Sequence, residues 1–170
     1  MHAAVVPRAS GIDVAALYAG HWRTMVRLAV LLVDDLPTAE DVVQEAFVSL
    51  YRRRDAVRAP EAALAYVRAA VVNGARSSLR HRGVVRRKLP LVVAGTVEER
   101  DEMAAVDGDD AMIQALATLP PRMREVLVLR YWLDLTEAQT ADALGISPGS
   151  VKSAASRGIG RLRERIGGGS

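Results

Sequence analysis

Between positions 149 and 161 the chain places Ser150, Lys152, Ser153, Ser156, Arg157 and Arg161 at spacings that suit the outer side of one helix. Hydroxyls and cations in such an array grip phosphate oxygens and reach base edges in a DNA major groove, so the chemistry on offer is binding. Nothing comparable points to catalysis. His2, His21 and His81 are scattered, cysteine is absent, and no Gly-rich phosphate loop or paired acid–base set falls within helical reach. No catalytic residue, no metal site and no cofactor is expected. The lack of cysteine also excludes disulfides and suits a reducing compartment.

A helix that reads DNA needs a second helix to seat it. Thr136 is a good N-cap for a helix ending at Leu144, and Ala141 supplies the small residue needed where two helices cross. Gly145 stands four positions later, where the turn requires positive φ. Leu144, Ile146 and Val151 form the wedge, and Ser147-Pro148 caps and opens the second helix. These agree on a helix-turn-helix. Gly158 and Gly160 each cost about 1 kcal/mol relative to Ala inside a helix. Ala154 and Ala155 offer no hydrogen bonds, so sparse base readout and phosphate-dominated affinity are expected.

The remaining elements follow from composition and period. Half of the 170 residues are apolar but only 4 % are aromatic, with Phe47 the sole Phe, so Leu, Val, Ile and Ala must build the cores. The composition favours helix throughout. The expected fold is all-α: two small helical domains joined by a charged linker, the second containing the helix-turn-helix. A first helix is expected over 13–33, with Leu17, Tyr18, Trp22, Met25, Ala29 and Leu32 on its apolar stripe. Asp34, Asp35 and Pro37 should stop it. A second starts at Thr38 with Asp41 as capping-box partner and buries Val43, Ala46, Phe47 and Leu50. A third spans 61–82, with Gly74 as a candidate bend.

Residues 1–82 carry 11 basic and 8 acidic groups and residues 111–170 carry 8 and 5, whereas between them Arg86, Arg87 and Lys88 are followed by an acidic stretch holding Glu98, Glu99, Asp101, Glu102, Asp107, Asp109 and Asp110 against one Arg100. Two basic blocks around an acidic stretch predict two modules, 1–82 and 111–166, with a linker at 83–110. A short helix is compatible with 97–106. The second module reads as helices over 111–118, 122–133, 136–144 and 147–166, with 167–170 as a flexible tail. Met1 to Asp13 has no apolar core of a signal peptide, and the longest apolar run, 28–33, is far below the ~18 residues of a membrane span. A cytoplasmic protein without direct membrane insertion is expected.

With these residues in view, both modules resemble the extracytoplasmic-function sigma factors of bacterial RNA polymerase, in the actinobacterial style. The run Ala39-Glu40-Asp41-Val42-Val43-Gln44-Glu45-Ala46-Phe47 resembles that family's clamp-binding helix. Tyr66-Val67-Arg68-Ala69-Ala70-Val71-Val72-Asn73-Gly74-Ala75-Arg76 resembles its promoter-melting helix. Leu119-Pro120, Gly149-Ser150-Val151-Lys152-Ser153 and Ser156-Arg157 resemble its C-terminal promoter-reading domain.

The resemblance implies a role for each module. Residues 1–82 would be the region 2 domain, which binds core polymerase and recognises and melts the −10 element. Residues 111–166 would be region 4, which reads the −35 element. Asp41, Gln44, Glu45 and Phe47 match the face that grips the clamp helices of the largest polymerase subunits, and the polymerase flap is a further implied contact. Arg58, Tyr66, Asn73, Arg76, Arg80 and Arg82 match the surface that handles the −10 DNA: an aromatic to stack, an amide to read and cations to hold phosphates. Ser150, Lys152, Ser153, Ser156, Arg157 and Arg161 would meet −35 DNA. The acidic linker would thread the polymerase, and an anti-sigma factor is the implied inhibitory partner. Thr140 departs from the family in replacing a larger aliphatic residue, and the melting region has only Tyr66 as an aromatic. The alternative is a helix-turn-helix regulator that binds duplex operator DNA alone. It would need dimer symmetry, for which no heptad is evident, and it would leave the first module without a task.

Overall fold

The computed structural model describes residues 11–88 and 110–167. In the first module α1 (Val14–Val33), α2 (Leu36–Arg52) and α3 (Pro60–Lys88) pack mutually. Met25, Leu28, Val33, Val43, Leu50 and Val71 are fully buried between them. Each such side chain contributes roughly 1.5–3 kcal/mol of hydrophobic burial, so the module stands on aliphatic packing. Phe47 joins this core at 4 % exposure, its ring edge-on to Tyr18.

Asp13 caps α1 by accepting from the Ala16 N–H at 3.0 Å, as its position predicts. Asp34 ends the helix in the left-handed region (φ 70°) and returns its N–H to the Val30 carbonyl. The start of α2 differs from expectation. Asp35, not Thr38, is the N-cap, accepting from the Thr38 N–H at 2.9 Å. Pro37 falls inside the first turn, where no N–H is required. A proline read as a stop signal is here a start signal.

The third helix runs six residues past the expected boundary at 82, through Gly83 to Lys88. The helix is also continuous through Gly74, whose job is proximity: a Cβ there would lie 2.9 Å from Cγ1 of Val42 on α2. The expected short helix over 97–106 lies outside the described residues.

The second module contains α4 (Asp110–Ala117), α5 (Pro121–Leu127), α6 (Glu137–Leu144) and α7 (Pro148–Gly167). The single helix expected over 122–133 is divided. After α5 the backbone widens into a π-helical turn, Val128–Trp132, closed by the Leu133 N–H to the Val128 carbonyl at 3.1 Å. The wider turn leaves Tyr131 and Trp132 exposed.

The helix-turn-helix stands as its residues predict. Thr136 caps α6, in a reciprocal box with Gln139. Gly145 adopts φ 64°, and the Ile146 N–H donates to the Ala141 carbonyl. Gly158 is not a weak point of α7, because a Cβ there would meet Leu127 Cδ1 at 2.9 Å, so its absence brings α7 onto α5. Thr140 is fully buried, and its hydroxyl has no hydrogen-bond partner.

The two modules touch. Helix α1 meets α4, α5 and the π-helical turn, and α3 meets α6. Among the described residues, no helix is long and apolar enough to cross a membrane.

Candidate nucleic-acid interface

Ser147 starts the reading helix by accepting from the Ser150 N–H at 3.1 Å. Val151, Ala154, Ala155 and Gly158 then turn inward and are buried. That leaves Ser150, Lys152, Ser153, Ser156, Arg157 and Arg161 outward, all exposed. Ser150, Ser153, Arg157 and Arg161 follow one line along α7, while Lys152 and Ser156 follow the next. Ala154 and Ala155 belong to the core, so they do not dilute the readable face.

Each side of α7 opens into a concavity. One, of about 530 Å³, adds Arg122 to Ser150, Ser153 and Arg157. The other, of about 550 Å³, adds Arg130 and Arg163 to Lys152 and Ser156. Sequence reasoning missed these three cations. Arg163 continues the Lys152–Ser156 line and was accessible to helical spacing, whereas Arg122 and Arg130 reach the site only through tertiary packing.

On the first module Asp41, Gln44 and Glu45 are exposed along α2, with Arg52 3.8 Å from Glu45. Phe47 is not on that face, since its spacing directs it into the core. Val48 and Tyr51 are exposed beyond the strip, at positions that the i+3 and i+4 pattern from Gln44 and Asp41 would have reached.

The six candidate −10 residues separate into three settings. Arg58, Asn73 and Arg80 are exposed. Tyr66 is half-buried, its hydroxyl 2.5 Å from Ser49 Oγ and its ring 5.6 Å from the Arg53 guanidinium carbon. Arg76 and Arg82 are engaged within the chain. Arg82 donates to the Val33 carbonyl at 3.1 Å, to Thr38 Oγ1 at 2.5 Å and to the Asp35 carboxylate, so it ties α3 to the α1–α2 corner. Burial opposes the charge on Asp35, but hydrogen bonds from Arg82 and Thr38 outweigh it and hold the carboxyl below its ordinary range.

Arg76 makes a two-pronged contact across the module boundary, Nε to Glu125 Oε1 at 2.5 Å and Nη2 to Oε2 at 2.9 Å. This hydrogen bonding raises the arginine's pKa against the opposing effect of burial. A second crossing pairs buried Arg124 with Asp34, and its Nε donates to the Leu31 carbonyl at 2.5 Å. Arg68 on α3 is partly buried with no partner for its Nε, and burial lowers its pKa.

Two helical modules, one displaying a hydroxyl- and cation-lined recognition helix and the other an acidic helical strip beside exposed cations, define a protein that holds DNA while docking on a larger partner. Comparison with known proteins agrees. Residues 17–84 match the family model for sigma-70 region 2, and residues 109–162 match that for sigma-70 region 4. An RNA polymerase sigma-E factor of Streptomyces avermitilis is 34 % identical over 143 residues, covering 84 % of this chain and 78 % of the relative. The extracytoplasmic-function sigma factor SigM of Mycobacterium tuberculosis is 31 % identical over 151 residues, covering 89 % and 76 %. The fold is similar to that of the sigma factor RpoE from Bartonella quintana, solved with the anti-sigma factor NepR (TM-score 0.72, 20 % identity, 93 % of this chain and 99 % of that one). The chain belongs to the RNA polymerase sigma factors, in the actinobacterial extracytoplasmic-function group. It binds core RNA polymerase and directs promoter-specific initiation through −10 and −35 elements.

Proposed function

We propose that α2 presents Asp41, Gln44 and Glu45 to the polymerase clamp helices, with Val48 and Tyr51 extending the contact and Phe47 stiffening it from behind. Exposed Asn73 reads an unpaired −10 base, while Arg58, Arg80 and Arg76 hold the strand. Tyr66 lends its ring to the same surface, and Arg82 braces α3 behind it. The face Ser150, Lys152, Ser153, Ser156, Arg157 and Arg161 meets −35 DNA, with Arg122 and Arg163 gripping phosphates on either side. The domain division is residues 1–82, carrying core binding and −10 melting, and residues 111–166, carrying −35 recognition, joined by the linker 83–110.

The chain is no enzyme: it supplies specificity, and polymerase supplies the chemistry. It works in the cytoplasm, where core polymerase is, under the control of an anti-sigma factor. Two proteins of similar fold support that partner, RpoE solved with NepR and CnrH solved with the cytosolic domain of CnrY.

The carrying observation is the outward array on α7, where all six candidate residues are exposed while Val151, Ala154, Ala155 and Gly158 between them are buried. The test mixes chain, core polymerase and promoter DNA. Asn73→Ala is expected to lower open-complex formation roughly tenfold, the order of one lost base contact, with core binding retained. Unchanged permanganate reactivity in the melted region would refute the role of Asn73. A footprint on duplex DNA without core polymerase would favour the stand-alone regulator.

A further inference from the structure

Arg52, Arg53 and Arg54 close α2, and the fold treats each of them differently. Arg52 lies 3.8 Å from Glu45 on the exposed acidic strip. Arg54 donates from Nη1 to the Tyr51 carbonyl at 2.9 Å, and its guanidinium lies over the Tyr51 ring, 4.2 Å from the centroid. Arg53 is left over: among the described residues its side chain has no hydrogen bond and no ion pair. Its backbone is nonetheless fixed, since its N–H donates to the Leu50 carbonyl at 3.0 Å and its carbonyl accepts from the Ala56 N–H at 2.9 Å. The exposed guanidinium is carried over the ring of Tyr66, 5.6 Å from the centroid and within cation–π reach. Tyr66 is held in turn by the 2.5 Å contact between its hydroxyl and Ser49 Oγ.

An unpaired base is caught by its π-face, and a planar guanidinium serves as a platform for it just as an aromatic ring does. Half-buried Tyr66 offers little free ring once Arg53 lies over it, whereas exposed Arg53 keeps its second face and its N–H donors uncommitted. We propose that Arg53 is the stacking platform for an unpaired base of the −10 strand, with Tyr66 as the pedestal that orients its guanidinium. The proposal rests on the assignment of α3 to −10 DNA. Ser49 holds the ring, the ring holds the guanidinium, and the end of α2 holds the arginine backbone. The platform therefore exists before DNA arrives, and little rotamer freedom is lost on binding. Asn73 lies two turns along α3 on the same side as Tyr66, where it reads the edge of the base whose face Arg53 takes. A base stacked within a duplex has no free face, so Arg53 acts on the melted strand alone.

The test assembles the full chain, in excess, with core polymerase and measures the binding of two fluorescent single strands, an oligodeoxyadenylate and an abasic strand of equal phosphate number. Arg53→Ala should weaken the base-bearing strand about tenfold, the size of one stacked base, and leave the abasic strand within about twofold. Arg53→Lys keeps the charge but not the plane, so it should match Arg53→Ala on the base-bearing strand and the parent on the abasic one. Equal weakening of both strands, or full rescue by Lys, marks a phosphate contact and would overturn the proposal. Unchanged binding of the base-bearing strand by Arg53→Ala would overturn it as well. Asn73→Ala, measured alongside, separates the platform from the −10 assignment beneath it. Loss there without loss at Arg53 removes the platform and keeps the assignment, whereas no loss at either position removes both.

Discussion

Asp35 holds two structures at once, and replacing it in two ways separates them. Its carboxylate caps α2 through the Thr38 N–H and anchors Arg82 from the far end of α3. Loss of an N-cap costs about 1 kcal/mol. The Arg82 contact is charge-assisted, but the arginine side chain is 36 % exposed, so solvent screening brings its contribution down to about 1 kcal/mol. Asp35→Asn keeps the cap and loses the ion pair, whereas Asp35→Ala loses both. The expected costs are therefore about 1 and about 2 kcal/mol, or roughly 4–8 °C and 8–16 °C in the melting temperature of a domain this size.

The assay is thermal or urea unfolding followed by Trp22 in a Trp132→Phe background, because each module holds one of the two tryptophans. The pH dependence supplies a second check. The folded-state pKa of Asp35 is lowered, so its contribution is complete above the unfolded value of about 3.9 and is lost as pH falls through the folded one. The gap between the parent and Asp35→Asn should be constant from neutral pH to about pH 5 and should close in stronger acid. Equal costs for Asn and Ala, or a gap that persists at the lowest pH, would refute the division of labour assigned to this side chain.

Four further substitutions test the packing and the docking face. Thr140→Val replaces a buried hydroxyl that has no partner with a methyl of similar shape, and should stabilise the second module by about 1 kcal/mol in urea melts. Gly74→Ala should destabilise the first module by about 1 kcal/mol or more, because the clash with the stiff Val42 side chain exceeds the gain in helix propensity; a rise in melting temperature would show that the helices simply separate. Phe47→Ala should cost about 3–5 kcal/mol of folding stability, whereas Glu45→Ala should leave melting nearly unchanged and weaken capture by core polymerase in a pull-down.

The parts of this protein that were legible beforehand are those decided within a few residues. The capped start of α6, the left-handed Gly145 and the outward line of α7 depend on neighbours three or four positions away, and each stands where spacing puts it. Readings failed where a local signal had two physical meanings. Pro37 ends one helix or opens another, depending on whether Asp35 or Thr38 wins the cap. Gly158 weakens α7 in isolation but is required once Leu127 lies against it. The π-helical turn at Val128–Trp132 carries no distinct periodicity, so it passed as ordinary helix.

The cations of α3 mark a stricter limit. Arg76, Arg80 and Arg82 are chemically identical and lie within two turns of one helix, so spacing alone gives them one role. Their fates differ because of partners 47 and 49 positions away in the chain: Asp35 takes Arg82, Glu125 takes Arg76, and Arg80 stays exposed. A basic stripe is therefore a reservoir of charge whose distribution between internal ion pairs and exposed surface is set by where the fold brings carboxylates. Arg82 is committed, because its partners sit in the same module and cannot leave without unfolding it. Arg76 instead joins the two modules, because its partner belongs to the other one. The first therefore ties together one module and the second bridges two, although nothing in their immediate sequence tells them apart.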